Sequence, residues 1–234
     1  MHAPTVTETT FAWEGGDVSG AWHRPEAPPR AALVLGHGAG HGMDTRLLVD
    51  IGEALAARGV AVLRFNFAYT EEGRQRPDPQ PRLEACYRAV AEAVAAEFPQ
   101  PFLGGKSMGG RIASHIVADG FPAAGLAFLG YPLHPPGQPE RIRDAHLRQI
   151  DAPMLFIQGS RDPFAIPDRL HRTVAALPFA TLREIEDGDH SFKVKGRSSA
   201  DVTKELAEAI DEFVTARVPE RAPRALVPNA RPGR

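Results

Sequence analysis

Short apolar runs of strand length alternate with longer amphipathic stretches along most of the chain. That alternation is the pattern of a mostly parallel sheet covered by helices on both faces. Six runs read as central strands: residues 31–35, 60–65, 102–103 leading into Gly104-Gly105, 125–129, 153–157 and 181–185. Two earlier segments, 9–14 and 18–24, are split by Gly15-Gly16 and read as an antiparallel hairpin at one edge. Between the strands, 45–58 carries Leu47, Leu48, Ile51 and Leu55 at helical spacing and stops at Gly59, a good residue just past a helix end. Residues 82–98, 109–118 and 201–214 read as further helices, the last with Leu206, Ile210 and Phe213 on one stripe.

The 234 residues suit one domain of this type, over 10–217, with a short segment 1–9 before it. From 218 to 234 the composition shifts to Pro, Arg and Ala, which predicts an unstructured tail. A formal charge of -2 gives no electrostatic footprint for nucleic acid. The lone cysteine, Cys86, excludes an internal disulfide and suits a reducing compartment. The start of the chain lacks the charged and apolar regions of a secretory signal, and no apolar run reaches bilayer length. The expectation is a cytoplasmic protein with no membrane or nucleic-acid partner.

Gly105-Lys106-Ser107-Met108-Gly109 matches the G-x-S-x-G nucleophile elbow. In such an elbow a strand turns abruptly into a helix with serine at the tip, and small neighbours are needed where backbones crowd. Apolar Phe102-Leu103 before it and Ile112-Ala113 after it supply the strand and the helix. The same Gly-Lys-Ser also ends a phosphate-binding loop, but that motif needs glycine at position 100, which is Gln100.

A serine hydroxyl is a poor nucleophile until a base takes its proton. The base is expected on the loop after the last strand, where Gly188-Asp189-His190 lies, so His190 is the candidate. The chain has nine histidines. His2, His23, His146 and His171 fall in polar contexts that read as surface. The orienting acid should end an earlier strand, in chain order Ser…Asp…His, and Asp162 does so within Gln158-Gly159-Ser160-Arg161-Asp162. Asp187 and Asp189 are rivals by proximity, although an aspartate adjacent in sequence usually points away from its neighbour. Asp168 reads as the start of the next helix. Residues 35–42, Leu-Gly-His-Gly-Ala-Gly-His-Gly, follow the first central strand and can approach a tetrahedral intermediate closely. The expected oxyanion donors are the N–H groups of Met108 and Ala39, with Gly40 the alternative to Ala39. His37, His41 and Asp44 can also be read as metal ligands, but a closed site wants a further ligand. No metal or cofactor is expected.

Together, His-Gly-Ala-Gly, Gly-Lys-Ser-Met-Gly-Gly-Arg, Gln-Gly-Ser-Arg-Asp and Gly-Asp-His, in this order, resemble the α/β-hydrolase superfamily over about residues 10–217. More narrowly, the pattern is similar to its small dienelactone-hydrolase-like branch, including the regulatory-complex-subunit and testis-expressed type of hydrolase domain. The resemblance implies Ser107, Asp162 and His190 as the triad and the turn at 38–40 as oxyanion loop. It departs from true dienelactone hydrolases, whose nucleophile is cysteine. Only 131–152 stands where many relatives insert a cap, with one short charged helix expected at 140–149, so the fold is expected to be α/β without a cap domain. Substrate contacts are then expected from loops, through Tyr131, Leu133, His134, Phe164 and Phe192. The implied activity is cleavage of a small-molecule ester or thioester through an acyl-enzyme. The alternative is a non-catalytic scaffold of the same fold that binds a protein partner.

Overall fold

The central strands are buried along almost their whole length because both faces of the sheet are covered. The computed structural model describes residues 5–135 and 137–218. Eight strands form one sheet: β1 (Thr5–Trp13), β2 (Gly16–Arg24), β3 (Ala31–Gly36), β4 (Val60–Phe65), β5 (Phe102–Lys106), β6 (Gly125–Leu129), β7 (Met154–Gly159) and β8 (Ala180–Ile185). Their spatial order is β1-β2-β4-β3-β5-β6-β7-β8. β1 and β2 are antiparallel to each other, β2 is antiparallel to β4, and every other pair is parallel. The helices are α1 (Arg46–Ala56), α2 (Ala68–Glu71), α3 (Gln80–Ala95), α4 (Met108–Ala118), α5 (Pro167–Ala175) and α6 (Ser199–Thr215).

The two-residue period of β3 sorts its side chains between two cores. Leu33 and Leu35 join Leu48, Ile51 and Leu55 of α1 and Leu206 and Ile210 of α6 on one face. Val34 faces the other way, with Tyr87 and Val90 of α3 and Ile112 and Ile116 of α4. The result is the single-domain, three-layer α/β architecture expected, with the carboxyl ends of β3, β5, β7 and β8 opening at one edge. Open α/β sheets place their ligand sites at that edge.

Three expectations are corrected. The edge hairpin begins at Thr5, not at 9, and pairs over the full register from Thr5↔Arg24 to Trp13↔Gly16. Of the helix expected at 140–149, only a 3-10 turn, Ala145–Gln149, forms. The Arg143 N–H is drawn back to the Leu133 carbonyl (2.8 Å), which takes it out of any helical ladder. His23 is fully buried rather than on the surface, accepting a hydrogen bond at Nε2 from Arg64 Nε (2.8 Å). Asp168 sits in the first turn of α5, as read. The described residues between β6 and β7 form loops and the 3-10 turn, with no cap domain among them. No described helix is long and apolar enough to cross a membrane. The tail read from 218 onward lies, after Val218, outside the described residues.

Candidate active site

β5 ends at Lys106 and α4 begins at Met108, so Ser107 alone makes the turn. Its backbone sits at φ 51°, ψ −111°, a region L-residues rarely occupy, and the surrounding packing must hold it there. The Ser107 N–H donates to the Leu129 carbonyl (3.0 Å), and its own carbonyl accepts from the Arg111 N–H (3.1 Å). Glycine is required beside it for steric reasons. A Cβ on Gly104 would overlap the Ala127 carbonyl oxygen, and one on Gly105 or Gly109 would overlap that of Gly36.

His190 lies on the loop after β8. That loop is brought in where a Cβ on Gly159, at the end of β7, would overlap the backbone of Gly188 and Asp189. The Arg161 N–H ties the two loops together by donating to the Gly188 carbonyl (2.9 Å). His190 Nε2 stands 3.0 Å from Ser107 Oγ, and Nδ1 stands 2.7 Å from Asp162 Oδ2. Because the carboxylate can only accept, Nδ1 carries the proton and Nε2 presents its lone pair toward the serine. Asp162 is buried, and two more donors fix it: Gln158 Nε2 to Oδ2 (2.5 Å) and the Phe164 N–H to Oδ1 (2.8 Å). The rival acids are engaged elsewhere. Asp187 pairs with Arg161, while Asp189 Oδ1 accepts from the N–H groups of Ser191 and Lys193. This arrangement can pass the serine proton to an imidazole whose cationic form is supported by a carboxylate.

The glycine-rich loop after β3 is anchored by His37. Its buried ring donates from Nδ1 to the Gly38 carbonyl (2.9 Å) and accepts at Nε2 from the Phe67 N–H (3.1 Å). Burial lowers its pKa to about 4. Both ring nitrogens are therefore occupied, and Asp44 pairs with Arg64, so the alternative set of His37, His41 and Asp44 does not converge as metal ligands. The Gly40 N–H donates to the Tyr69 hydroxyl (3.3 Å). The N–H groups of Ala39 and Met108 make no hydrogen bond among the described residues.

A cleft of about 340 Å³ opens over Ser107 and His190, with walls from Gly38, Ala39, His41, Thr45, Leu47, Lys106, Phe164 and Ser191. Of the expected substrate contacts only Phe164 lines it, its ring centroid 4.3 Å from that of His190. Tyr131 is instead a core residue. It packs against Phe128 and Phe156 and donates its hydroxyl to the Arg143 carbonyl (3.0 Å). Leu133 is likewise fully buried in the core. His134 is buried and braces the loop before α5, accepting at Nε2 from the Ile166 N–H (3.4 Å). Phe192, at φ 60°, is buried against the α6 face and borders a smaller neighbouring pocket. The reading by residue type missed His41, Thr45 and Leu47 in the walls, and Gln158 behind Asp162. It also missed Lys106, although that residue occupies the variable position directly before the serine.

A doubly covered, mostly parallel sheet with a serine elbow at its centre defines an α/β-hydrolase fold. The alpha/beta hydrolase domain family matches this chain over residues 29–217, and the chain belongs to that family. Among solved structures, the fold is similar to that of an α/β serine hydrolase without lid from Xanthomonas campestris. That pair has a TM-score of 0.74 at 22% identity, covering 95% of this chain and 99% of that one. It is also similar to a dienelactone hydrolase from Anabaena variabilis (TM-score 0.73, 17% identity, 93% and 100% covered). A third likeness is to the esterase domain of a Rhodothermus marinus protein (TM-score 0.72, 17% identity, 92% and 99% covered).

Proposed function

We propose that this protein is a serine hydrolase that cleaves a small carboxylic ester or thioester through an acyl-enzyme. One observation carries the reading: the continuous hydrogen-bonded line from Ser107 Oγ through His190 to Asp162, built on a strained elbow. Ser107 Oγ attacks the acyl carbon as its proton passes to His190 Nε2. The tetrahedral oxyanion then collapses, and His190 returns that proton to the departing alcohol or thiol. Water, deprotonated by His190 in turn, releases the acid and restores the serine. Asp162 holds the imidazole in the Nδ1–H tautomer and supports its charge.

The oxyanion is assigned to the N–H groups of Met108 and Ala39. Gly40 is set aside because its N–H is committed to Tyr69, and Met108 also stands at the positive end of α4. The uncapped cleft of about 340 Å³ favours a compact substrate, with Phe164 and Leu47 as apolar walls. The serine hydrolase without lid and the esterase domain, as folds of the same type, are consistent with this reading.

The test is intact-protein mass after exposure to a fluorophosphonate, beside Ser107→Ala and His190→Ala. A single adduct on the wild type, absent from both variants, is the expected result. Turnover of a short ester should fall by about 10⁴-fold or more in Ser107→Ala. Wild-type turnover in that variant would remove Ser107 from the mechanism.

A further inference from the structure

Two donors converge on one lone pair at His190. Ser107 Oγ lies 3.0 Å from Nε2, and Lys106 Nζ lies 3.1 Å from the same atom. With the ring proton on Nδ1, Nε2 can accept only one of them at a time. The lysine is otherwise poorly served. It makes no ion pair among the described residues, its stem runs beside Gly38, and its head lies over Gly130 with the Phe192 ring 5.6 Å away. The Asp162 and Asp189 carboxylates reach it only through space, while His41 is the other titratable group in the cleft wall. Asp162 is already bound to His190 and Gln158, and Asp189 to two backbone N–H groups, so neither turns to form a direct ion pair with the ammonium.

We propose that Lys106 is a positioning residue that governs the proton acceptor. Its ammonium form occupies His190 Nε2 in competition with Ser107, and its neutral form releases that nitrogen to the serine. This rests on the serine-hydrolase reading of the same site. The ammonium form impedes the reaction twice. It fills the lone pair that must take the serine proton, and it places a positive charge beside an imidazole that must become positive. The neutral amine does neither, and it can accept a hydrogen bond from the Nε2–H of the imidazolium.

The identity of the residue fits this role. The chain holds 27 Lys and Arg residues, of which only Lys106, Lys193, Lys195 and Lys204 are lysines. At position 106 it carries the side chain that can lose its proton, where arginine could not. Burial pushes the Lys106 ammonium down to about 8, against the pull of the Asp162 and Asp189 carboxylates, so the exchange falls within reach of ordinary pH.

The experiment is the pH profile of kcat/KM on a neutral acetate ester for wild type, Lys106→Met and Lys106→Arg. It is paired with NMR of ¹³C-labelled lysine, in which the Lys106 signal is the one missing from Lys106→Met. Wild type should rise about tenfold from about pH 7 to about pH 9, because only about a tenth of Lys106 is neutral at the lower pH. The Lys106 signal should titrate with the same midpoint. Lys106→Met should lack that rise, and Lys106→Arg should stay slow throughout, a pair of opposite outcomes that a purely structural role would not produce. An alkaline rise unchanged in Lys106→Met, or a Lys106 midpoint at the ordinary lysine value, overturns the proposal. If the wild type neither turns over the ester nor takes a fluorophosphonate adduct, the hydrolase reading fails. The contact is then judged by the His190 Nε2 nitrogen shift, which should step with Lys106 in wild type and not in Lys106→Met. Absence of that step overturns the proposal independently of turnover.

Discussion

Asp162 accepts three hydrogen bonds at once, from His190, Gln158 and the Phe164 backbone, in a buried position at the end of β7. That geometry suits a carboxylate, which can only accept. In Asp162→Asn an amide that donates as well as accepts faces the imidazole. The ring can then turn its unprotonated Nδ1 to the amide, leaving a proton on the nitrogen that faces Ser107. Turnover of a short ester should therefore fall by about 10⁴-fold, while circular dichroism and thermal melting remain close to wild type. A fall of less than tenfold would show that Asp162 does not set the tautomer. At this scale Ser107, Asp162 and His190 were legible because each follows a recognisable strand and keeps company with glycine. Tyr131, His134 and Phe192 were not, because a residue in a loop turns inward or outward according to tertiary packing. Their aromatic character suits a core as well as a cleft. Lys106 was hidden by the motif itself, which treats its position as free.

The elbow is the element where sequence and packing agree most closely. α4 lies so near β3 that a Cβ on Gly109 would run into the Gly36 carbonyl, which is backbone and cannot rotate aside. Gly109→Ala should therefore force α4 away from the sheet and destabilise the fold by about 1–3 kcal/mol. Urea denaturation should show it as a lower midpoint, with a loss of fluorophosphonate labelling beyond what the stability change explains. An unchanged midpoint would mean that the close approach is not a constraint. The two misread elements fail for a common reason. The first half of β1, Thr-Val-Thr-Glu-Thr-Thr, is almost wholly exposed and offers no apolar alternation. Its strand state comes from pairing with β2 and from the β-propensity of threonine and valine. The charged stretch at 140–144 has helix-forming composition, yet the hydrogen bond from Arg143 to Leu133 carries it back to the preceding loop. Long-range hydrogen bonds of this kind leave no local trace.

At the scale of the whole molecule, two histidines with no exposed surface, His23 and His37, are held uncharged by the interior around them. His23 is fully buried beside Arg64, and His37 is fully buried under the glycine-rich loop. Burial, and for His23 also the Arg64 charge, lowers the pKa of each from 6.5 to about 4. The unfolded chain therefore binds more protons than the folded one between these values. Their contribution to stability is complete above about pH 6.5 and is lost progressively as the pH falls toward 4. Each histidine should cost about 2 kcal/mol between about pH 7 and pH 5, so the urea midpoint should drop steeply over that interval. His23→Gln separates this effect from general acid weakening. Its side-chain oxygen can still accept from Arg64, and it does not titrate. The variant should lose about 2 kcal/mol less than wild type over the same interval, whatever its stability at neutral pH. Equal losses in the two proteins would mean that His23 is protonated in the folded state, and that Arg64 moves away from it to allow this.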